Sequence, residues 1–545
     1  MDPMTSPPIA PFRLDHFAGP PGPNASWLIL GKGPSFAAFD PEIGRSHHTF
    51  VLNHAMRGLS VDVGHAIDLE VFSHLEPHEL QGVRFLCMPW VPHVRRQRIG
   101  RSDQALFGPG RQTLAELAIS HPVLARYASA GRLLSYNLCS APARLRNPGL
   151  PDIEGRTFSA AVAMRLLVAA GASEIRTLGV DGGSAYGSSF SDLEGRTKLQ
   201  TGQQRFDTQF DEMAETLSRY PVTFGPLDAQ VPARVFVGAE PEQDLAFQVL
   251  AHSIRRRSSI SVRVERLDAS ISAAGLDVPV PAAPANRGRT PFSFQRFHIP
   301  RLCGYQGRAV YLDSDMLVLS DLRELWLYPM QGRQMLSAAS RAGDHRPPQF
   351  SVMLIDCQAL PWDLNEIVQS LDAGSVSYED LMFRMSTVDR HAAALPREWN
   401  SLEHHEAGRT RLIHFTEMDR QPWLNAFHPL ACLWCQALLD AIADGAISAA
   451  DVATAVAAGH VRPSLLAQVQ RQCPDPLTLP FGILMQDVGR FTAPHRQDAA
   501  WRTRLHYQLA RWQRLARHWA AHHVARPMVR LRSRLHAQLV SLLSK

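Results

Sequence analysis

The segment RAVYLDSDMLVLSDLRELW (308–326) leaves the chain few folds to choose from. An apolar strand over 309–312 runs into Asp313, Ser314 and Asp315, and a second apolar run follows at once. Two carboxylates one residue apart at the end of a buried strand are costly unless something compensates their charge. A divalent cation does so, and hard ions such as Mn²⁺ or Mg²⁺ prefer oxygen ligands. Taken alone, the same pattern also fits a loop that caps a helix or faces solvent.

The surrounding sequence alternates strands with helices, which implies α/β units built on parallel sheets. Residues 1–23 are rich in Pro and Gly and read as a flexible leader. WLILGKGPSF then gives a short apolar strand breaking into a glycine turn, and further strands are predicted over 85–90, 132–138 and 174–182, with a buried helix over 159–172. A turn-rich stretch, FGPLDAQVPAR (224–234), closes this first domain (24–228) and precedes a fresh strand, RVFVGAE, and a fresh helix, DLAFQVLAHSIRRR. Residues 229–430 form the second α/β domain, in which the Ala/Pro-rich stretch 269–289 reads as a mobile surface loop. From 431 to 545 the pattern is helical and ends in arginine-rich segments broken at Pro527.

The stretch TPFSFQRFHIPRLCGYQ (290–306), taken together with the strand and acidic pair that follow it up to Trp326, resembles glycosyltransferase family 8. In that family a basic residue precedes the metal motif at about this distance, and Arg296 stands there. QFSVMLIDC (349–357) is similar to the family's next block, although Phe350 and Ser351 lack the asparagine and glycine that usually follow. SYEDLMF (377–383) resembles its Asp-Gln element, with Asp380 at the aspartate and Leu381 in place of the glutamine. In RLIHFTEMDRQPW (411–423), His414 matches the family's third metal ligand. Glu417 and Gln421 replace its glycine and lysine there, so that Arg420 is the candidate cation for the diphosphate. In RVFVGAEPEQ the residues Val237, Gly238 and Glu240 occupy the nucleotide edge.

The resemblance thus implies a GT-A nucleotide-diphospho-sugar transferase domain with Asp313, Asp315 and His414 on Mn²⁺ or Mg²⁺. Ser314, Arg296 and Arg420 would meet the nucleotide sugar, and Asp380 and Arg296 would position the donor for a transfer that retains configuration. The implied reaction moves a hexose, from a UDP-linked donor, to a glycan or lipid-linked acceptor in surface polysaccharide synthesis.

LILGKGPSF, with Asn53 after the second strand, Asp68 after the third and Asp181 in EIRTLGVDGGSAYG, resembles the Rossmann-like domain of family 42 sialyltransferases and of pterin pyrophosphokinase-like proteins. A glycine turn after a first strand lets backbone N–H groups approach a phosphate. Gly31, Gly33, Asn53 and Asp181 are therefore candidates for a nucleotide site, the other reading being a purely structural domain. Two rivals to the main reading follow: activity confined to this first domain, or a nucleotide-binding scaffold without turnover.

The charge distribution bears on partners. After Asp498 there is no Asp or Glu but nine arginines and Lys545, a tail of +10 on a chain whose net charge is +5. Such a tail fits an anionic membrane surface, a solvated appendage or an oligomer contact; nucleic acid is disfavoured because no recognition fold accompanies it. Seven cysteines without framework spacing argue for a reducing compartment, and Cys432 and Cys435 are either a weak metal pair or ordinary helical thiols. With no signal peptide and no long apolar run in the sequence, the expected location is the cytoplasm, peripheral to the inner membrane.

Overall fold

The computed structural model describes residues 9–19, 22, 25–96, 106–156, 158–197, 204–288, 290–339, 350–489, 491–497 and 501–520. It divides into two compact units, residues 1–233 with 255–263 and 321–323, and residues 234–254, 264–320 and 324–545.

The first unit is built on a nine-stranded sheet whose pairings are all parallel. Strands such as Trp27–Leu30 and His48–Leu52 are buried at every position, as a parallel sheet covered on both faces requires. From Trp27–Leu30 the sheet extends one way through His48–Leu52, Val61–His65, Val83–Pro89 and Leu133–Leu138. It extends the other way through Glu174–Leu178 and Thr223–Pro226. The order therefore reverses between Trp27–Leu30 and Glu174–Leu178, the place where open α/β sheets form a crevice at their carboxyl ends. The helix predicted over 159–172 is Ser159–Ala169, and Ala160, Ala161, Val162, Ala163, Met164, Leu166 and Leu167 on it are buried. Part of the stretch read as a loose leader belongs to this sheet: Ala10–Pro11 pairs with Leu133–Leu138, and Phe12 and Phe17 are buried in the core.

His65, on Val61–His65, is wholly buried, with Nε2 2.8 Å from the Tyr136 hydroxyl and Nδ1 without a partner. Burial drives its pKa down to about 3. A histidine held below its ordinary pKa stabilises the fold above about pH 6.5, and that contribution is lost as the pH falls toward the folded value. Calorimetric melting between pH 6.5 and 4 should therefore show the first unit losing stability by at most about 1.4 kcal/mol per pH unit from this group. The slope should be shallower in His65→Gln; equal slopes would show that His65 is not the titrating group.

The second unit carries a six-stranded mixed sheet in the order Val262–Arg266, Ala233–Gly238, Arg308–Asp313, Val352–Asp356, Met335–Ala338, His391–Leu395. Val352–Asp356 runs antiparallel to both of its neighbours. A separate three-stranded sheet joins Met316–Val318, Leu412–His414 and Ser401–Leu402. The Ala/Pro-rich stretch 269–289 differs from its expectation. It begins within helix Leu267–Ala273, buries Ile271, and is tied down by Ala282 N–H to Asp372 and Asn286 Nδ2 to the Leu371 carbonyl. Beyond 430 come helices, among them Ala431–Ala443, Ala449–Ala457 and Trp501–Ala520; the basic helix expected after Pro527 lies outside the described residues. Cys432 and Cys435 sit on Ala431–Ala443, the first exposed and the second buried beside Arg462 and Gln468. Among the described residues, no helix is long and apolar enough to cross a membrane.

Candidate functional site

Strand Arg308–Asp313 belongs to the six-stranded sheet and Met316–Val318 to the three-stranded one, so Ser314 and Asp315 form the step between two sheets. Gly238 is paired with Asp313, and Ser314 N–H donates to the Gly238 carbonyl at 2.9 Å. Met316 is paired with His414, and Phe415 N–H donates to the Asp315 carbonyl at 2.8 Å. Strand pairing on both sides of the step thus brings Asp313, Asp315 and His414 together. One ligand atom from each lies within 4.8 Å of the others, the only such group of three or more metal-ligating side chains found among the described residues.

The chemistry of this donor set fits a divalent cation. His414 Nε2 lies 3.1 Å from Asp315 Oδ1, which is buried, and 4.0 Å from Asp313 Oδ2. Nδ1 of His414 is 3.0 Å from Asn400 Oδ1, an acceptor that fixes the proton on Nδ1 and leaves Nε2 as the ligand atom. Burial alone would depress the imidazole, but the carboxylates of Asp315, Asp313 and Glu403 outweigh it and hold its pKa above the ordinary value. Burial raises Asp313, and although Arg296 opposes this, Asp315 adds to it. Both effects mark a crowded set of negative charge in which a cation would replace a proton.

The remaining predicted residues fall in different places. Arg296 stacks over the Tyr311 ring at 4.8 Å, donates to the Phe350 carbonyl at 3.0 Å and keeps a buried, unpartnered Nε; Tyr311 in turn donates to Asp313 at 2.6 Å. Ser314 Oγ donates to Gln243. Glu240 caps the turn Pro241–Gln243, and burial raises its pKa, with Glu242 and Asp315 contributing. Val237 is wholly buried, so a ligand could meet only its backbone. Arg420 donates to Glu417 at 2.7 Å and has a buried, unpartnered Nε. Asp380 lies in the first turn of helix Tyr378–Phe383, where Ser377 and Arg384 engage its carboxylate; none of its hydrogen bonds reaches the Asp313 group, and Leu381 beside it is core.

Sequence reasoning passes over Tyr311, Asn400 and Glu403, and it treats Gln421 only as a missing lysine. Gln421 Nε2 donates to Asp315 Oδ2 at 3.1 Å and to the Phe415 carbonyl, so it holds the second carboxylate in place. Only the register of the strands and loops shows these contacts.

In the first unit a cavity of about 200 Å³ opens at the reversal point of the sheet. Gly31 and Gly179 face one another so closely that a Cβ on either would sit 2.3 Å from the other's carbonyl oxygen. Gly33 lies against Asp181, whose carboxylate accepts from the N–H and hydroxyl of Ser35. Asp181 thus anchors the glycine turn and also lines the cavity. Asn53, in the left-handed region at φ 50°, donates to Ser159 and leaves Oδ1 buried without a partner. Lys32, His54 and His74, unremarked in the sequence, also line the cavity, and buried ring nitrogens of both histidines lack partners. Burial lowers Lys32 to about 8 and His54 to about 3, and raises Asp68 to about 7.

No protein-family model matches the chain. Among curated proteins, Protein CDI of Arabidopsis thaliana is 43% identical over 98 residues, which is 17% of this chain and 36% of that protein. Among solved structures, apo GlyE, a glycosyltransferase of Streptococcus pneumoniae TIGR4, is 17% identical, covering 38% of this chain and 61% of its own at a TM-score of 0.29. The bifunctional glycosyltransferase WbbM is 14% identical over 40% of this chain and 51% of its own, with a TM-score of 0.28. The galactosyltransferase LgtC, solved with donor and acceptor sugar analogues, is 12% identical over 38% of this chain and 95% of its own, with a TM-score of 0.27. The chain thus spans about a third of the curated relative's length and three fifths of GlyE's.

Proposed function

We propose that the chain is a metal-dependent glycosyltransferase whose second unit is a GT-A domain, moving a hexose from a UDP-linked sugar to a glycan or lipid-linked acceptor with retention. The observation that carries this reading is the convergence of Asp313, Asp315 and His414 where the chain steps from one sheet to the next. When bound, Mn²⁺ or Mg²⁺ supplies charge neutralisation for a diphosphate leaving group. The chain's own residues then position. Asn400 fixes the imidazole, Gln421 holds Asp315, Tyr311 donates to Asp313, and Arg296 stacks on the Tyr311 ring. Glu240, Gly238 and Ser314 would line the nucleotide side, and Asp380 would approach the donor sugar only if its ties to Ser377 and Arg384 yield. The protein would act in the cytoplasm, its basic helices against an anionic membrane.

The test is release of UDP from UDP-hexoses by the full chain with Mn²⁺ present or chelated. Metal-dependent turnover that favours one sugar supports the reading. Metal binding without turnover of any donor would instead make the protein a nucleotide-binding scaffold.

A second reading rests on the cavity of the first unit, where unpartnered buried atoms of Asn53, His54 and His74 surround the Gly31–Gly33 turn. It makes this unit a nucleotide site in its own right. Binding of a nucleotide that survives Asp315→Asn and is lost in Asn53→Ala would favour it; loss of all nucleotide binding in Asp315→Asn would oppose it.

A further inference from the structure

Helix Trp501–Ala520 and the loop that carries Arg420 together enclose a second cavity in the second unit, of about 500 Å³. Its polar wall is chiefly cationic: Arg420, Arg496, Arg511 and Arg514, with Asn425 and Tyr507. The two carboxylates of the lining are already engaged. Asp419 is held by Arg496 at 2.5 Å and His495 at 2.6 Å, and Glu417 by Arg420 at 2.7 Å. Arg511 is only 4% exposed and donates one N–H to the Phe491 carbonyl, with no carboxylate within ion-pair distance among the described residues. Tyr507 is 9% exposed, and its hydroxyl is buried without a partner, as is the Nε of Arg420.

Leaving such donors unpaired costs about 1–3 kcal/mol each, which a ligand rich in acceptor oxygens would recover. Guanidinium groups only donate, and a phenol donates readily to an anion; planar forks set round one space match phosphoryl oxygens. We propose that this cavity binds a phosphate or diphosphate group. Gln421, the next residue after Arg420, donates to Asp315, so the bound anion sits one residue along the loop from the metal centre. Its assignment to a phosphate-linked acceptor rests on the transferase reading, whereas the binding itself does not.

Calorimetric titration of sodium diphosphate into the full chain, with metal chelated, tests the proposal. Binding should be present in the wild type and unchanged in Asp315→Asn. Tyr507→Phe removes only a hydroxyl that bonds to nothing, so the melting temperature should hold or rise, while diphosphate affinity falls about tenfold, the value of one hydrogen bond to a charged group. Arg514→Gln should weaken it similarly. Absence of binding, binding that needs metal and disappears in Asp315→Asn, or equal affinity in both cavity variants and the wild type would each overturn the proposal. Phosphatidylcholine vesicles carrying a lipid diphosphate separate the sources: co-sedimentation reversed by free diphosphate identifies a lipid-borne group, and diphosphate binding without co-sedimentation identifies a soluble one. Either outcome supports the cavity.

Discussion

Asp315→Asn should abolish Mn²⁺ binding and lower sugar transfer by about three orders of magnitude, the scale of losing roughly 4 kcal/mol of charge stabilisation in the transition state. The substitution keeps the shape of the side chain and an oxygen for Gln421 Nε2, so the step between the sheets should hold. It removes the charge. Asp313 then stands as the single carboxylate of the group, already drawn toward Tyr311 and Arg296, and His414 Nε2 has no strong anion within 3.1 Å. On the proposed reading, Mn²⁺ at a hundred times its dissociation constant should raise the unfolding free energy of the wild type by about 2.7 kcal/mol, as expected for an ion held only by the folded chain. In the variant that increment should vanish while the metal-free melting temperature holds or rises, since burying two coupled carboxylates is itself unfavourable. A variant that keeps wild-type Mn²⁺ affinity would show that these three side chains are not the metal site.

How much of this is legible in the sequence follows from how local each signal is. Asp313 and Asp315 stand out because a fully apolar strand ends on them, and His414 because a second apolar strand ends on it about a hundred residues later. Strand ends are local patterns, and pairing then brings them together. The residues that orient this set, Asn400, Gln421 and Tyr311, have no local signature, since their role depends on which loops converge. Asp181 has two ties that one local pattern cannot separate: it lines the cavity of the first unit, and its carboxylate accepts from Ser35. Lys32, His54 and His74 become a cluster only once three neighbouring parallel strands bring the segments that follow them together. The stretch 269–289 reads as a mobile loop from its Ala and Pro content, yet Ile271 reaches the core and decides the local structure.

Gly179→Ala should destabilise the first unit by about 3 kcal/mol or more, combining the cost of a left-handed backbone with a backbone clash. Gly179 has φ 70°, and its added Cβ would lie 2.3 Å from the Gly31 carbonyl oxygen. Neither strand end can retreat. Gly31 N–H donates to the Leu178 carbonyl at 2.8 Å, Gly33 N–H to the Gly179 carbonyl at 2.8 Å, and Gly179 N–H to Ser35 Oγ at 2.7 Å. Gly171→Ala is the control, because that glycine also has positive φ, at 100°, but nothing lies within 4 Å of its Cβ position; it should cost only about 1 kcal/mol. Urea denaturation of the two variants, read at equal slopes, gives the difference directly. A gap of about 2 kcal/mol or more assigns the excess to the close approach of the two strand ends that frames the cavity. Equal costs would mean that the strand ends stand apart at the reversal point, and with that the glycine turn would lose its physical reason for being glycine.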